Sequence, residues 1–332
     1  MSRKWEIILC SGAEHLANQF KKLGYNIHTS RLNYDGKRFF PNSDLYTRLD
    51  SLEELEGKQV LVVQSATYSG ELDKEKFTTA DRFWETLQVL DILKNPIKVF
   101  EKAHKEYEYQ ELKPPKEVVV LYTFLPCALQ DKAFKTGEAM SAKLAVELTL
   151  MKADKVATID PHPPEKIPWV KKLVDNGKLE LLSAVPTLVE EAAKRFNLDS
   201  YDLITPDEGA QERFGIKGFK KRRFDSFTVI ISGDSNVKGK KVIIVDDLTK
   251  SGSTLIKARN FLMENGAKEV ISCVTHVLPT MSEGEKLLRN LVKKLEGKIL
   301  TTNTVRTKTF EEENPKCLVD IVPIIHNWLQ TT

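Results

Sequence analysis

Cysteine is scarce: Cys10, Cys127, Cys273 and Cys317 stand far apart in 332 residues, with no Cys-x-x-Cys pair among them. The chain therefore offers no disulfide framework and is expected to carry free thiols in a reducing compartment. Charge of one sign is also missing. Lys plus Arg is 50 against 47 for Asp plus Glu, a formal +3, so no global field directs the chain to nucleic acid or to an anionic membrane. Any basic site must be local. No apolar run approaches the roughly 20 residues of a spanning helix, and Met1 to Trp5 leads straight into a short strand rather than a signal peptide. Cytoplasm is the expected compartment. A Walker loop is disfavoured, because no Gly-Lys-Ser/Thr follows the glycine of the one phosphate-sized loop. No strong residue-level repeat stands out either.

What is present is ample for a core. Hydrophobic residues make up 41% of the chain, and the length suggests two domains. Lys240 to Leu255 reads KKVIIVDDLTKSGSTL: an apolar strand, two aspartates, a Ser-Gly-Ser-Thr turn, then a helical pattern to Gly266. Backbone N–H groups of a tight glycine turn at a helix start converge on one point, which suits a phosphate. Ser251, Ser253 and Thr254 add hydroxyls around Gly252. Asp246 and Asp247 close the strand at its carboxyl end, where open α/β sheets bind ligands, and can accept hydrogen bonds from the vicinal hydroxyls of a sugar. Phosphate and diol together describe ribose 5-phosphate.

Strands and helices alternate along the rest of the chain. Strands are expected at 5–10, 60–64, 118–124 and 156–159, with helices at 13–23, 79–93 and 141–151. Residues 97–116 are charge-dense and end in Pro114-Pro115, so an exposed excursion is expected there. Pro163, Pro164 and Pro168 mark the candidate boundary between a first domain, 1–164, and a second, 165–318. Strands at 202–205, 227–232, 270–276 and 298–302, a helix at 185–196 and a terminal helix near 321–329 complete the second half. This alternation predicts two tandem α/β domains, each an open, mainly parallel sheet flanked by helices, with the terminal helix at 319–332 a candidate to pack on the first.

Other polar residues also fall at strand ends. His162 follows the strand at 156–159 and Asp207 the strand at 202–205, so an imidazole and a carboxylate could meet at the domain junction and serve a nucleotide-bound Mg²⁺. Taken alone, His162 reads more readily as a structural or surface histidine. Lys220-Lys221-Arg222-Arg223 reads as a solvated loop or as a local cation site.

The Lys240 to Leu255 stretch resembles the phosphoribosyl diphosphate (PRPP) signature of type I phosphoribosyltransferase-like proteins. Nearly the whole chain resembles one branch of them, the ribose-phosphate diphosphokinases, or PRPP synthetases. The run FLPCALQDKAFKTGEAMSAKL from Phe124, followed by TIDPH ending at His162, is similar to the family's ATP segment, and PDEGAQERF at 206–214 to its Pro-Asp-x-Gly segment. The resemblance implies ATP contacts at Gln130, Asp131 and Asp35, metal contacts at His162 and Asp207, and a Lys-x-Arg at Lys221 and Arg223, whose register could shift by one to Lys220 or Arg222. It also implies ATP and ribose 5-phosphate as substrates, Mg²⁺ as cofactor and a homo-oligomer. Leu129 stands where many members carry arginine, Gly137-Glu138-Ala139 where an Arg-x-Pro is usual, and Tyr34-Asp35-Gly36 lacks the usual glutamate. A catalytically weak regulatory relative and a phosphoribosyltransferase that consumes PRPP are the alternatives.

Overall fold

The computed structural model describes residues 5–50, 52–206, 210, 237–331 and the backbone of 220–223 and 229–232. The first half contains β1 (Trp5–Leu9), α1 (Ala17–Lys22), β2 (Ile27–Thr29), β3 (Gln59–Ser65), α2 (Thr79–Lys94), β4 (Ile97–Ala103), β5 (Glu106–Glu111), β6 (Glu117–Phe124), α3 (Ser141–Leu150), β7 (Lys155–Ile159), α4 (Pro168–Asp175) and β8 (Leu179–Leu182). Then follow α5 (Val185–Arg195), β9 (Asp202–Ile204), β10 (Lys220–Arg223), β11 (Val229–Ser232), β12 (Lys241–Thr249), α6 (Ser253–Glu264), β13 (Glu269–Val277), α7 (Lys286–Lys294), β14 (Ile299–Thr302), β15 (Leu318–Val319) and α8 (Val322–Thr331).

Two parallel sheets organise these elements. The first has the order β2-β1-β3-β6-β7-β8, the second β15-β14-β13-β12-β9. Their strands read as unbroken apolar runs because both faces are covered. Along β1, Trp5, Ile7 and Leu9 join one core and Ile8 the other. Along β12, Val242 and Ile244 face one core while Ile243 and Val245 face the opposite one. Helices are seated by local chemistry. A capping box starts α2, where Asp81 N–H donates to Thr78 Oγ1 at 3.2 Å and the Asp81 carboxylate accepts Thr78 N–H at 2.7 Å.

The first sheet extends past the proline-rich stretch. Residues 165–182, expected in the second domain, supply α4 and the edge strand β8, which pairs in parallel with β7. Pro168 sits in the first turn of α4, where its missing N–H costs nothing and its fixed φ suits a helix start. It begins an element there and does not divide two domains.

The halves then exchange helices. Helix α5 follows the edge of the first sheet, yet its Val185, Leu188, Val189 and Ala192 pack on the second, against Ile243, Val245 and Cys273. Helix α8 follows the edge of the second sheet, yet its Val322, Ile325, Trp328 and Leu329 pack on the first, against Trp5, Ile7 and Leu9. Each buried side chain of this kind contributes about 1.5–3 kcal/mol, so the exchange binds the halves to one another. Residues 97–111 form an antiparallel hairpin, β4 with β5, outside both sheets and exposed along nearly its whole length. Cys10, Cys273 and Cys317 are buried free thiols; Cys127 is exposed. Among the described residues no helix is long and apolar enough to cross a membrane.

Candidate functional site

Strand β12 delivers Asp246 and Asp247 to the carboxyl edge of the second sheet, both buried. Asp247 N–H donates to Asp246 Oδ1 at 3.0 Å, which fixes the first carboxylate relative to the second peptide. Gly252 then takes a left-handed φ of 70° and caps α6. Its N–H donates to Thr249 Oγ1 at 2.9 Å, and Ser253 N–H points to Ser251 Oγ at 3.4 Å. A Cβ at position 252 would lie 2.2 Å from Leu291 Cδ1. Only glycine satisfies both the sign of φ and the approach of α7. The result is a tight turn at the start of a twelve-residue helix, with Ser251 and Ser253 exposed and Thr254 half-buried.

His162 reaches this turn from the other half of the chain. Its Nδ1 lies 2.7 Å from Asp247 Oδ2, with the imidazole about one-third exposed and the carboxylate buried. A carboxylate can only accept, so Nδ1 carries the proton and Nε2 is left on the far side of the ring. That is the arrangement in which an outer carboxylate orients a metal-binding histidine. No cluster of three or more His, Cys, Asp or Glu forms among the described residues. Asp207 lies outside the described residues. Lys221 and Arg223 lie on β10, a strand of a separate two-stranded hairpin, with Lys221 opposite Ile231 and Arg223 opposite Val229. The basic run, read as a loop, is a strand.

A cleft of roughly 430 Å³ opens between the halves, with Tyr68, Phe124, Leu129 and Gln130 on one wall and Lys250 and Met281 on the other. Gln130 is exposed and its side-chain oxygen accepts the Ser141 hydroxyl at the start of α3. Asp131 is buried and does not line the cleft; its main-chain carbonyl accepts the Trp169 indole N–H at 2.9 Å. Asp35 sits on an exposed turn, its N–H donating to Asn33 Oδ1 at 2.9 Å, and does not line the cleft either.

Behind the His162–Asp247 contact runs a buried polar seam that sequence reasoning missed. Asp160, at φ 36°, accepts hydrogen bonds from Ser183 Oγ at 2.6 Å, Ala184 N–H at 2.9 Å and Thr275 Oγ1 at 2.7 Å. Burial pushes its carboxyl pKa up, and burial pulls that of His276 down. Threonine and histidine in apolar strands give no signal of such a seam, since each reads as an ordinary strand residue. Lys250 was overlooked too, although it lies inside the quoted motif.

Residues 197–311 match the phosphoribosyl transferase domain family. The ribose-phosphate pyrophosphokinase of Sulfurisphaera tokodaii is 28% identical over 302 residues, spanning 87% of this chain and 89% of the relative. That of Pyrococcus furiosus is 27% identical over 335 residues, spanning 97% of this chain and 100% of the relative. Among solved structures, the phosphoribosylpyrophosphate synthetase from Mycobacterium smegmatis matches with a TM-score of 0.70 at 21% identity, covering 99% of this chain and 98% of that one. The structural match is a likeness of fold.

Proposed function

We propose that the chain, which is similar along nearly its whole length to ribose-phosphate pyrophosphokinases, or PRPP synthetases, is an enzyme of that family and transfers the diphosphoryl group of Mg-ATP to the anomeric hydroxyl of ribose 5-phosphate, giving PRPP and AMP. The new bond joins the anomeric oxygen to the β-phosphorus. The bond from that phosphorus to the bridging oxygen breaks, AMP leaves with the oxygen, and the hydroxyl proton is released.

The observation that carries this reading is the 2.7 Å contact between His162 and Asp247. It closes the nucleotide side of the molecule on the ribose side at one carboxylate. The turn from Ser251 to Thr254 holds the 5-phosphate through main-chain N–H groups and hydroxyls. Asp246 and Asp247 accept from the ribose diol. Gln130 and Lys250, on facing walls of the cleft, hold the nucleotide, and His162 with Asp207 holds the metal edge. Mg²⁺, when bound, neutralises charge on the phosphate oxygens. Lys221 and Arg223 supply cations to the same oxygens, so little covalent chemistry is asked of the protein.

The test is a product assay with ribose 5-phosphate, ATP and Mg²⁺, scored for AMP and PRPP. Lys221→Ala should lower turnover on the order of a hundredfold or more without moving the melting temperature, and chelation of Mg²⁺ should abolish turnover. Equal activity of the variant would exclude Lys221 from the reaction. A regulatory relative is the second reading, favoured by the exposed Leu129 on the cleft wall, an aliphatic contact with no charge to offer a nucleotide. Binding of ribose 5-phosphate with no PRPP from any nucleoside triphosphate would select it.

A further inference from the structure

His276 is buried on β13, the strand beside β12, in register with Leu248. Its Nε2 is 3.0 Å from the carbonyl oxygen of Ile159 and 3.3 Å from that of Asp160, both on the other half of the chain. Its Nδ1 is 2.8 Å from Thr304 Oγ1. Carbonyls only accept, so Nε2 carries the proton; the Thr304 hydroxyl beside Nδ1 also reaches the Thr275 carbonyl at 3.2 Å, and burial favours the neutral ring. Phe124 packs edge-on to the ring, with centroids 5.1 Å apart. The neighbouring residue, Thr275, donates to the Asp160 carboxylate. Thr123 of β6 donates to the Thr304 carbonyl at 2.8 Å, crossing between the halves a second time.

The contacts of His276 Nε2 and Thr275 converge on one short piece of chain, Ile159 and Asp160. Asp160 holds a left-handed φ that non-glycine residues seldom adopt and that persists only where the surroundings enforce it. Two residues later comes His162. We infer that His276 is a positioning residue, a neutral strut that pins the Ile159–Asp160 backbone to the second sheet and so sets His162 against Asp247. The relation between nucleotide side and ribose side is thereby built into the fold at this seam, before any substrate binds. This inference rests on the proposed diphosphoryl transfer for its kinetic readout only.

Three variants and one double variant test it. His276→Phe keeps a planar ring but cannot donate to the carbonyls, and should lower kcat roughly ten- to a hundredfold, the scale of a misplaced catalytic group. KM for ribose 5-phosphate should stay within about twofold, because the phosphate turn is untouched. His276→Gln, whose amide can present an N–H, should recover most of the loss, and Thr304→Val should show a smaller loss in the same direction. In a His162→Ala background, His276→Phe should cost little more, since the residue through which it acts is gone. Equal losses in both backgrounds, or glutamine no better than phenylalanine, would overturn the strut. If His276→Phe does not fold, Thr304→Val carries the test, and unchanged kinetics there count against it. Wild-type protein that makes no PRPP sinks the reaction and not the strut; Mn²⁺-ADP binding then becomes the readout, and binding unaltered by both His276→Phe and Thr304→Val overturns it.

Discussion

Strands β3 and β12 hold equivalent places in two sheets whose orders match apart from the extra edge strand β2 of the first, β1-β3-β6-β7-β8 and β9-β12-β13-β14-β15, yet their carboxyl ends differ sharply. At the end of β3 the space is filled. Gln64 accepts Gly12 N–H at 2.9 Å and donates to the Arg82 carbonyl and to Glu85, while Glu85 also binds the Ser11 N–H and the Arg38 guanidinium. Arg82 and Glu85 are both buried, and a Cβ on Gly12 would lie 2.3 Å from the Ser65 carbonyl oxygen. At the end of β12 two aspartates and a glycine turn occupy the same position, with hydroxyls reaching solvent. One scaffold thus fills one strand end with ion pairs and leaves an open, hydroxyl-lined turn at the other, the end proposed to bind ribose 5-phosphate.

Variants at each end should separate these uses. The largest expected effect is in the plugged half. Glu85→Ala takes from the buried Arg38 one of its two carboxylates and from the Ser11 N–H and the Gln64 amide an acceptor, and should cost about 3–5 kcal/mol of stability, read from urea unfolding. A shift below about 1 kcal/mol, the ordinary surface range, would break the comparison.

Acid should weaken the same half. Burial depresses the His15 pKa from 6.5 to about 4. The unfolded chain therefore takes up the proton first. The stability this neutral histidine contributes is fully present above pH 6.5 and is lost between 6.5 and 4. The loss amounts to about 3 kcal/mol across that window, and the depressed pKa of His276 acts in the same direction. His15→Gln can keep the donor that bonds the Asn303 carbonyl while removing the titration, and should flatten the fall in urea midpoint from pH 7 to 4. An unchanged slope would assign the acid sensitivity elsewhere.

The smallest effect should come from a region outside both sheets. Replacing residues 97–111 by a short turn removes a hairpin whose ion pairs, Lys98 with Glu53 and Lys102 with Glu108, are exposed, and should shift stability by less than about 1 kcal/mol. A larger loss in the monomer would show that the hairpin supports the first sheet.

How much of this was legible in the sequence depends on where the signal lay. The β12 unit was readable because its parts are contiguous: an apolar run, two acids and a glycine turn within one stretch. The two-sheet architecture followed from alternation. Strand β8 was missed because four residues, Leu-Glu-Leu-Leu, carry no length or turn signal, and α4 was hidden by prolines that read as breaks. The repeat is visible in strand order and in the reciprocal packing of α5 and α8, while the residues themselves have diverged. Gln130 and Asp131 are adjacent in the chain, yet one faces the cleft and the other is buried, a distinction that only packing makes. The His162–Asp247 contact joins residues 85 apart, beyond the reach of any local pattern.

The most direct measurement is phosphorus NMR of the purified protein with ribose 5-phosphate, ATP and Mg²⁺. Attack at the β-phosphorus gives AMP and a sugar bearing a diphosphate at its anomeric carbon, in equal amounts and on one time course. ADP with a singly phosphorylated anomeric carbon, or ATP and ribose 5-phosphate both unchanged, would contradict diphosphoryl transfer at this site.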